Sequence, residues 1–129
     1  MSRRELRVII YALWLWLGIG VGILLGSLVK EAVAQPASAP AEVTAALEAG
    51  IAEGLPRDWA WRVAWCESRW DPRARNRWTG AAGLFQIVPR TWATTPQGRA
   101  GMSPYDPEAN ARAAAWLYAR SGGRPWVCR

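Results

Sequence analysis

Histidine is absent from all 129 residues, and cysteine occurs only at Cys66 and Cys128. Without histidine, a Ser-His-Asp nucleophile system and any histidine-based metal site are excluded. If the two cysteines are bridged, a cysteine nucleophile is excluded as well, so neither a metal nor a cofactor is expected. Carboxylates are scarce, ten against sixteen basic residues, for a formal charge of +6. There is no internal repeat and no nucleic-acid recognition motif, so no nucleic-acid partner is expected.

Long uncharged stretches are also missing, with one exception. After Arg3, Arg4 and Arg7, the run 8-VIIYALWLWLGIGVGILLGSLV-29 carries no charge over 22 residues, enough to cross a bilayer core. Ala32-Val33-Ala34 follows, a small-x-small pattern of the kind a signal peptidase reads. Residues 1–34 are therefore expected to be a hydrophobic signal or anchor helix. The length of the run favours an anchor and the small residues favour cleavage, and both remain open. The basic N-terminus should stay in the cytoplasm, which places the rest of the chain outside, either secreted, periplasmic or held at the membrane. Residues 35–42, beginning Gln35-Pro36-Ala37-Ser38-Ala39-Pro40, read as a linker, and 43–129 as the functional domain.

From residue 35 onward, twelve basic residues against eight acidic ones leave +4, alongside eight tryptophans. Such a basic, aromatic domain outside the cell suits an anionic polymer or a membrane surface. Export makes a Cys66–Cys128 disulfide the expected state of the two thiols. Closing so long a loop stabilises by roughly 3–4 kcal/mol in the chain-entropy model and ties the C-terminus to the helix carrying Glu67.

Periodicity predicts a small, mainly α domain. Val43, Ala46, Leu47 and Ile51 recur at helical spacing, and Gly54 and Pro56 end the pattern. Asp58 is expected to cap a second helix over about 59–68, with Glu67 in its last turn. Residues 73–87 read as an irregular loop or a short β-hairpin. Pro89 opens a short helix reaching Trp92, and 95–105 reads as loop. Asp106-Pro107-Glu108 starts a final helix running to about Arg120, with Ala109, Ala113, Trp116 and Leu117 inward and Gly122-Gly123 at its end.

Acid-base chemistry must fall to the eight carboxylates of this domain. Glu42, Glu48 and Glu53 belong to the linker or the polar face of the first helix. Asp58, Asp106 and Glu108 are helix-start charges, and Asp71 precedes a proline in a turn. Glu67 has no such explanation, since a negative charge in the last turn of a helix opposes the macrodipole. Tryptophans beside it would raise its pKa and arginines would lower it, so composition leaves both a working acid and an ion-pair partner open.

The order Trp61-Arg62-Val63-Ala64-Trp65-Cys66-Glu67-Ser68, then Gly80-Ala81-Ala82-Gly83-Leu84-Phe85-Gln86-Ile87-Val88-Pro89-Arg90-Thr91-Trp92, resembles the lysozyme-like lytic transglycosylases. The match continues in Asp106-Pro107-Glu108-Ala109-Asn110. Cysteine immediately before Glu-Ser, with a terminal Pro125-Trp126-Val127-Cys128, is also similar to the resuscitation-promoting factors. The resemblance implies a small lysozyme-like fold and peptidoglycan glycan strands as the substrate. It also implies Glu67 as catalytic acid, Ser68 as a residue that helps hold it, and Gln86 beside the cleft. One departure is the family's Ala-Tyr-Asn motif, replaced here by Ser121-Gly122-Gly123-Arg124-Pro125-Trp126. Tyr118, Tyr105 and Trp126 are the candidates for that tyrosine's place. Trp70, Trp78 and Trp126, in predicted loops, are the expected sugar-facing aromatics; Trp59, Trp92 and Trp116 are assigned to the core. The resemblance implies cleavage of the MurNAc-GlcNAc β-1,4 bond with formation of 1,6-anhydro ends. The alternatives are a lysozyme-type hydrolase and a wall-binding module without turnover.

Overall fold

The structure, a computed structural model, describes residues 38–128. The expected leader and the first part of the linker lie outside these residues. Ala39–Arg129 forms a unit of its own. Among the described residues no helix is long and apolar enough to cross a membrane.

Helix α1 (Ala41–Ala52) buries Val43, Ala46, Leu47 and Gly50, the i, i+3, i+4, i+7 stripe of an amphipathic helix. It packs chiefly against α5 (Pro107–Ser121). Gly50, which weakened the pattern in sequence, has a packing role. A Cβ there would lie 3.0 Å from both the Ala111 carbonyl oxygen and the Leu55 side chain, so glycine lets the two helices approach. In α5 a ladder of alanines, Ala109, Ala111, Ala113, Ala114 and Ala115, is buried for the same close packing.

Helix α2 (Arg57–Ser68) begins two residues earlier than expected, with Pro56 rather than Asp58 at the N-cap. Pro56 supplies the extended backbone that a cap requires, and Asp58 becomes a first-turn charge favoured by the dipole. The helix buries Trp59, Ala60, Val63 and Ala64. It ends at Arg69 and Trp70, two consecutive non-glycine residues in the left-handed region, with φ of 55° and 60°.

The expected hairpin reduces to two isolated bridges, Arg75 with Ala82 and Ala82 with Ile87. Helix α3 (Pro89–Trp92) matches the sequence reading. Helix α4 (Pro96–Arg99) was expected to be loop. Thr95 caps it by accepting from Gly98 N at 3.0 Å, and Pro96 fixes its first turn. Gly98, which pointed to a loop, is there because a Cβ would collide with the Trp92 carbonyl. Asp106 caps α5 as expected, its carboxylate accepting from Ala109 N at 2.8 Å.

These elements enclose Leu47, Val63, Leu84, Phe85 and Trp92. Trp59 stacks near Phe85, with centroids 6.0 Å apart, and meets Trp126 edge-on at 5.0 Å. Trp116, assigned to the core by its helical position, is only half-buried, with the Arg120 guanidinium 3.5 Å above its ring.

Candidate active site

Glu67 stands in the last turn of α2, half-buried. Burial pushes its carboxyl above the usual glutamate range, and the backbone N–H of Cys128 offsets part of that by favouring the charged form. No arginine forms an ion pair with it among the described residues. Arg62 and Arg69, its nearest arginines in sequence, are exposed to solvent. Desolvation is thus the larger influence on its acidity.

The Cys66–Cys128 disulfide is present, with Cα atoms 6.0 Å apart, and it brings the C-terminal arm back to the residue preceding Glu67. Two residues before that link, Trp126 is 4% exposed, and its indole N–H donates to the Phe85 carbonyl at 2.8 Å. A tryptophan expected from its loop position to face sugar is thus mostly core. It still contributes to the wall of a small cavity of about 80 Å³, shared with Gln86, Thr91, Leu117 and Pro125. The arm 122–128 thereby touches both Glu67, through Cys128, and the surroundings of Gln86, through Trp126.

Gln86 has a positive φ of 48°, and its side-chain amide nitrogen donates to Ala74 O and Gly83 O, both at 3.0 Å. Its amide oxygen makes no hydrogen bond among the described residues and can accept one from a ligand hydroxyl. Ser68 is buried, and its hydroxyl donates to Ala64 O at 2.9 Å, one turn back in its own helix, rather than to the Glu67 carboxylate. Tyr118 lies against Trp59, ring centroids 4.8 Å apart, on the same core tryptophan that Trp126 meets.

Of the other two expected sugar-facing tryptophans, Trp70 lies elsewhere. Trp70 folds back onto Trp61 and Trp65, with centroids at 5.9 and 4.6 Å, and its indole donates to Trp61 O at 3.3 Å. Helical residues advance by about 100° each, so Trp65 lies roughly 200° around α2 from Glu67. The Trp61-Trp65-Trp70 group therefore covers the opposite side of the helix. Trp78 is 80% exposed, with the Arg77 guanidinium 4.5 Å from its ring centre.

Asn110 has a role that the sequence reading left unassigned. Fully buried in α5, it accepts from Phe85 N at 2.9 Å and donates to Ala82 O at 3.2 Å and Pro104 O at 2.9 Å. One side chain thus fixes the backbone leading into Gln86. Gly83 has φ of +80°, and a Cβ there would fall well inside contact distance of the Asn110 amide and the Pro104 carbonyl. Its glycine is required by that approach as much as by the turn. A polar residue on an otherwise alanine-lined helix face was the available sequence signal.

The transglycosylase SLT domain family model matches residues 44–124. The chain belongs to this family. No curated protein and no solved structure matches it. Membership in the SLT family makes this a transglycosylase-type domain directed at peptidoglycan, a polymer outside the cytoplasm.

Proposed function

We propose that this SLT domain cleaves the MurNAc-GlcNAc β-1,4 bond by lytic transglycosylation, with Glu67 acting first as acid and then as base. The observation that carries this reading is the isolation of Glu67. Burial raises its pKa, and neither a carboxylate nor an arginine contributes to the shift. A hydrolysing glycosidase ordinarily pairs two carboxylates, one to protonate the leaving oxygen and one to act as nucleophile or activate water. Asp71, the nearest other acid in sequence, is exposed and accepts from Arg73 N at 2.9 Å within its own turn.

A single acid suffices for the lytic route. Protonated Glu67 delivers its proton to the glycosidic oxygen as the bond to the muramic acid anomeric carbon breaks. The substrate's own N-acetyl oxygen supports the positive charge at that carbon. The Glu67 carboxylate then takes the proton from the sugar's 6-hydroxyl, and that oxygen closes on the anomeric carbon to give the 1,6-anhydro ring. Glu67 is returned protonated, so no water is consumed. Gln86, with its free amide oxygen, and the arm carrying Trp126 supply the adjoining wall of the site. The domain then works outside the cytoplasm, held at the membrane by residues 1–34 if that segment is uncleaved.

Digestion of purified peptidoglycan, with the products resolved by mass spectrometry, tests this reading. Anhydro-muramyl ends are expected from the wild type. Reducing ends would make the protein a lysozyme-type hydrolase, and retention on the polymer without products would make it a wall-binding module.

A further inference from the structure

The loop between α2 and Gln86 carries more positive charge than its structural role requires. Arg69, Arg73, Arg75 and Arg77 fall within nine residues, against the single carboxylate of Asp71. All four are exposed, and Asp71 is occupied with its own turn. Two arginines of the domain find acids, Arg57 with Glu48 and Arg112 with Glu53 and Glu108, and the others outside the loop form no ion pair among the described residues. No loop arginine pairs with an acid among the described residues. Arg69 and Arg77 rest on the rings of Trp65 and Trp78, while the guanidinium groups of Arg73 and Arg75 meet neither an acid nor a ring among the described residues.

Like charges held close together repel, and a flexible loop would spread them. Here the backbone prevents that. Gly83 N and the Gln86 side-chain amide both donate to Ala74 O at 3.0 Å, Asn76 N donates to Ala81 O at 2.8 Å, and Arg75 bridges to Ala82. The asparagine side chain of Asn76 secures the next turn by accepting from Trp78 N at 2.9 Å and Thr79 N at 3.1 Å. The result is a fixed backbone that carries four guanidinium groups close together in sequence, groups suited to anions and especially to carboxylates, whose geometry the guanidinium fork matches.

Placement narrows the anion. The loop leaves α2 two residues after Glu67, and its Ala74 carbonyl holds the Gln86 amide, so its backbone adjoins both candidate site residues. On the reading above, which this step presupposes, Glu67 acts at C1 of a muramic acid ring. The lactyl ether at C3 of that same ring bears the peptide stem, which carries free carboxylates. The stem must leave the site alongside the ring being cleaved. We infer that Arg73, Arg75 and Arg77 bind the stem carboxylates of the muramic acid at the cleavage point, giving the enzyme a preference for stem-bearing strands over bare glycan.

The test uses the full-length protein and its Arg73→Gln/Arg75→Gln/Arg77→Gln variant. Three substrates come from one peptidoglycan preparation freed of phosphate polymers with hydrofluoric acid: intact, with stem carboxylates amidated, and with stems removed by an amidase. On intact polymer the variant should show KM raised about 10-fold, with kcat within about twofold. The two proteins should coincide on amidated and stem-free substrates, and their melting temperatures should agree. Equal KM on intact polymer overturns the inference. So does an equal loss on all three substrates, which would mean that the arginines hold the glycan, or a loss seen only when phosphate polymers are left in place. Sedimentation with the same three polymers reads stem preference without turnover. Wild-type protein that cleaves nothing yet binds intact polymer more tightly than stem-free polymer would defeat the cleavage reading while leaving the stem site standing.

Discussion

Glu67 sits among residues that could have neutralised it in two ways, by protonation in an apolar setting or by pairing with an arginine. In the fold no arginine pairs with it among the described residues, and burial is the largest influence on its pKa, raising it, while the Cys128 N–H moderates the rise. A folded-state pKa above the unfolded one means that this group's contribution to stability is fully present below the unfolded pKa. It is lost as pH rises through the folded pKa, because the ionised form is the one the site disfavours. Glu67→Gln, neutral at every pH, should therefore melt higher than wild type at neutral pH, with the difference closing as pH falls below the ordinary glutamate range. Thermal scans from about pH 3 to 8 measure this. The same substitution should lower the cleavage rate by roughly 100-fold or more, since the side chain can no longer give or take a proton. A variant both more stable and nearly inactive separates a functional acid from a structural one. For the wild type, the rate should fall as pH rises through the Glu67 pKa. Residues read individually were legible in type but not in contact. Ser68 and Gln86 were singled out through the family resemblance, yet their hydrogen bonds to Ala64, Ala74 and Gly83 depend on backbone turns that residue identity does not encode.

Helices whose ends are written in residues with one strong physical preference were legible. Pro89 and Asp106-Pro107 marked the starts of α3 and α5, and Gly122 follows the end of α5. Where a glycine serves packing, the sequence misleads. Gly98 made α4 look like loop, although its role is to clear the Trp92 carbonyl. The segment that presents Gln86 shows the same problem on a larger scale. It has almost no ladder hydrogen bonding, and its order depends on Asn110 reaching across from α5. Asn110→Ala would leave the buried Phe85 N–H and the half-buried Pro104 carbonyl without this partner, while the Ala82 carbonyl keeps Ile87 N, at about 1–3 kcal/mol for each group left unsatisfied. A loss of about 2 kcal/mol or more is expected, which in a domain of this size lowers the melting temperature by about 8 °C or more. Calorimetry checks it. A loss below about 1 kcal/mol would show that water replaces the amide and that the loop is not built on Asn110.

Across the whole domain the decisive feature is the connection of the C-terminal arm to α2, with Cys128 joined to Cys66 over 62 residues. The pairing was legible because two thiols allow only one intramolecular bridge. Its consequence for Glu67 was not, because the group that reaches the carboxylate is a backbone N–H in the arm, invisible to any reading of side chains. Cys66→Ala/Cys128→Ala should cost about 4 kcal/mol by loop entropy, a large part of the stability of a small domain. The melting temperature should fall by at least about 15 °C. Releasing the arm also acts on Glu67 in two opposing ways. Loss of the Cys128 N–H raises the pKa, while exposure of the carboxylate lowers it toward the ordinary range. Burial is the larger of the two influences, so exposure should win. At a temperature where the double variant remains folded, the alkaline limb of its rate profile should therefore move to lower pH than in the wild type. A variant that melts lower but keeps the wild-type limb would show that the disulfide only staples the fold. A limb moved to higher pH would show that the N–H, rather than the cover the arm provides, sets the acidity of Glu67.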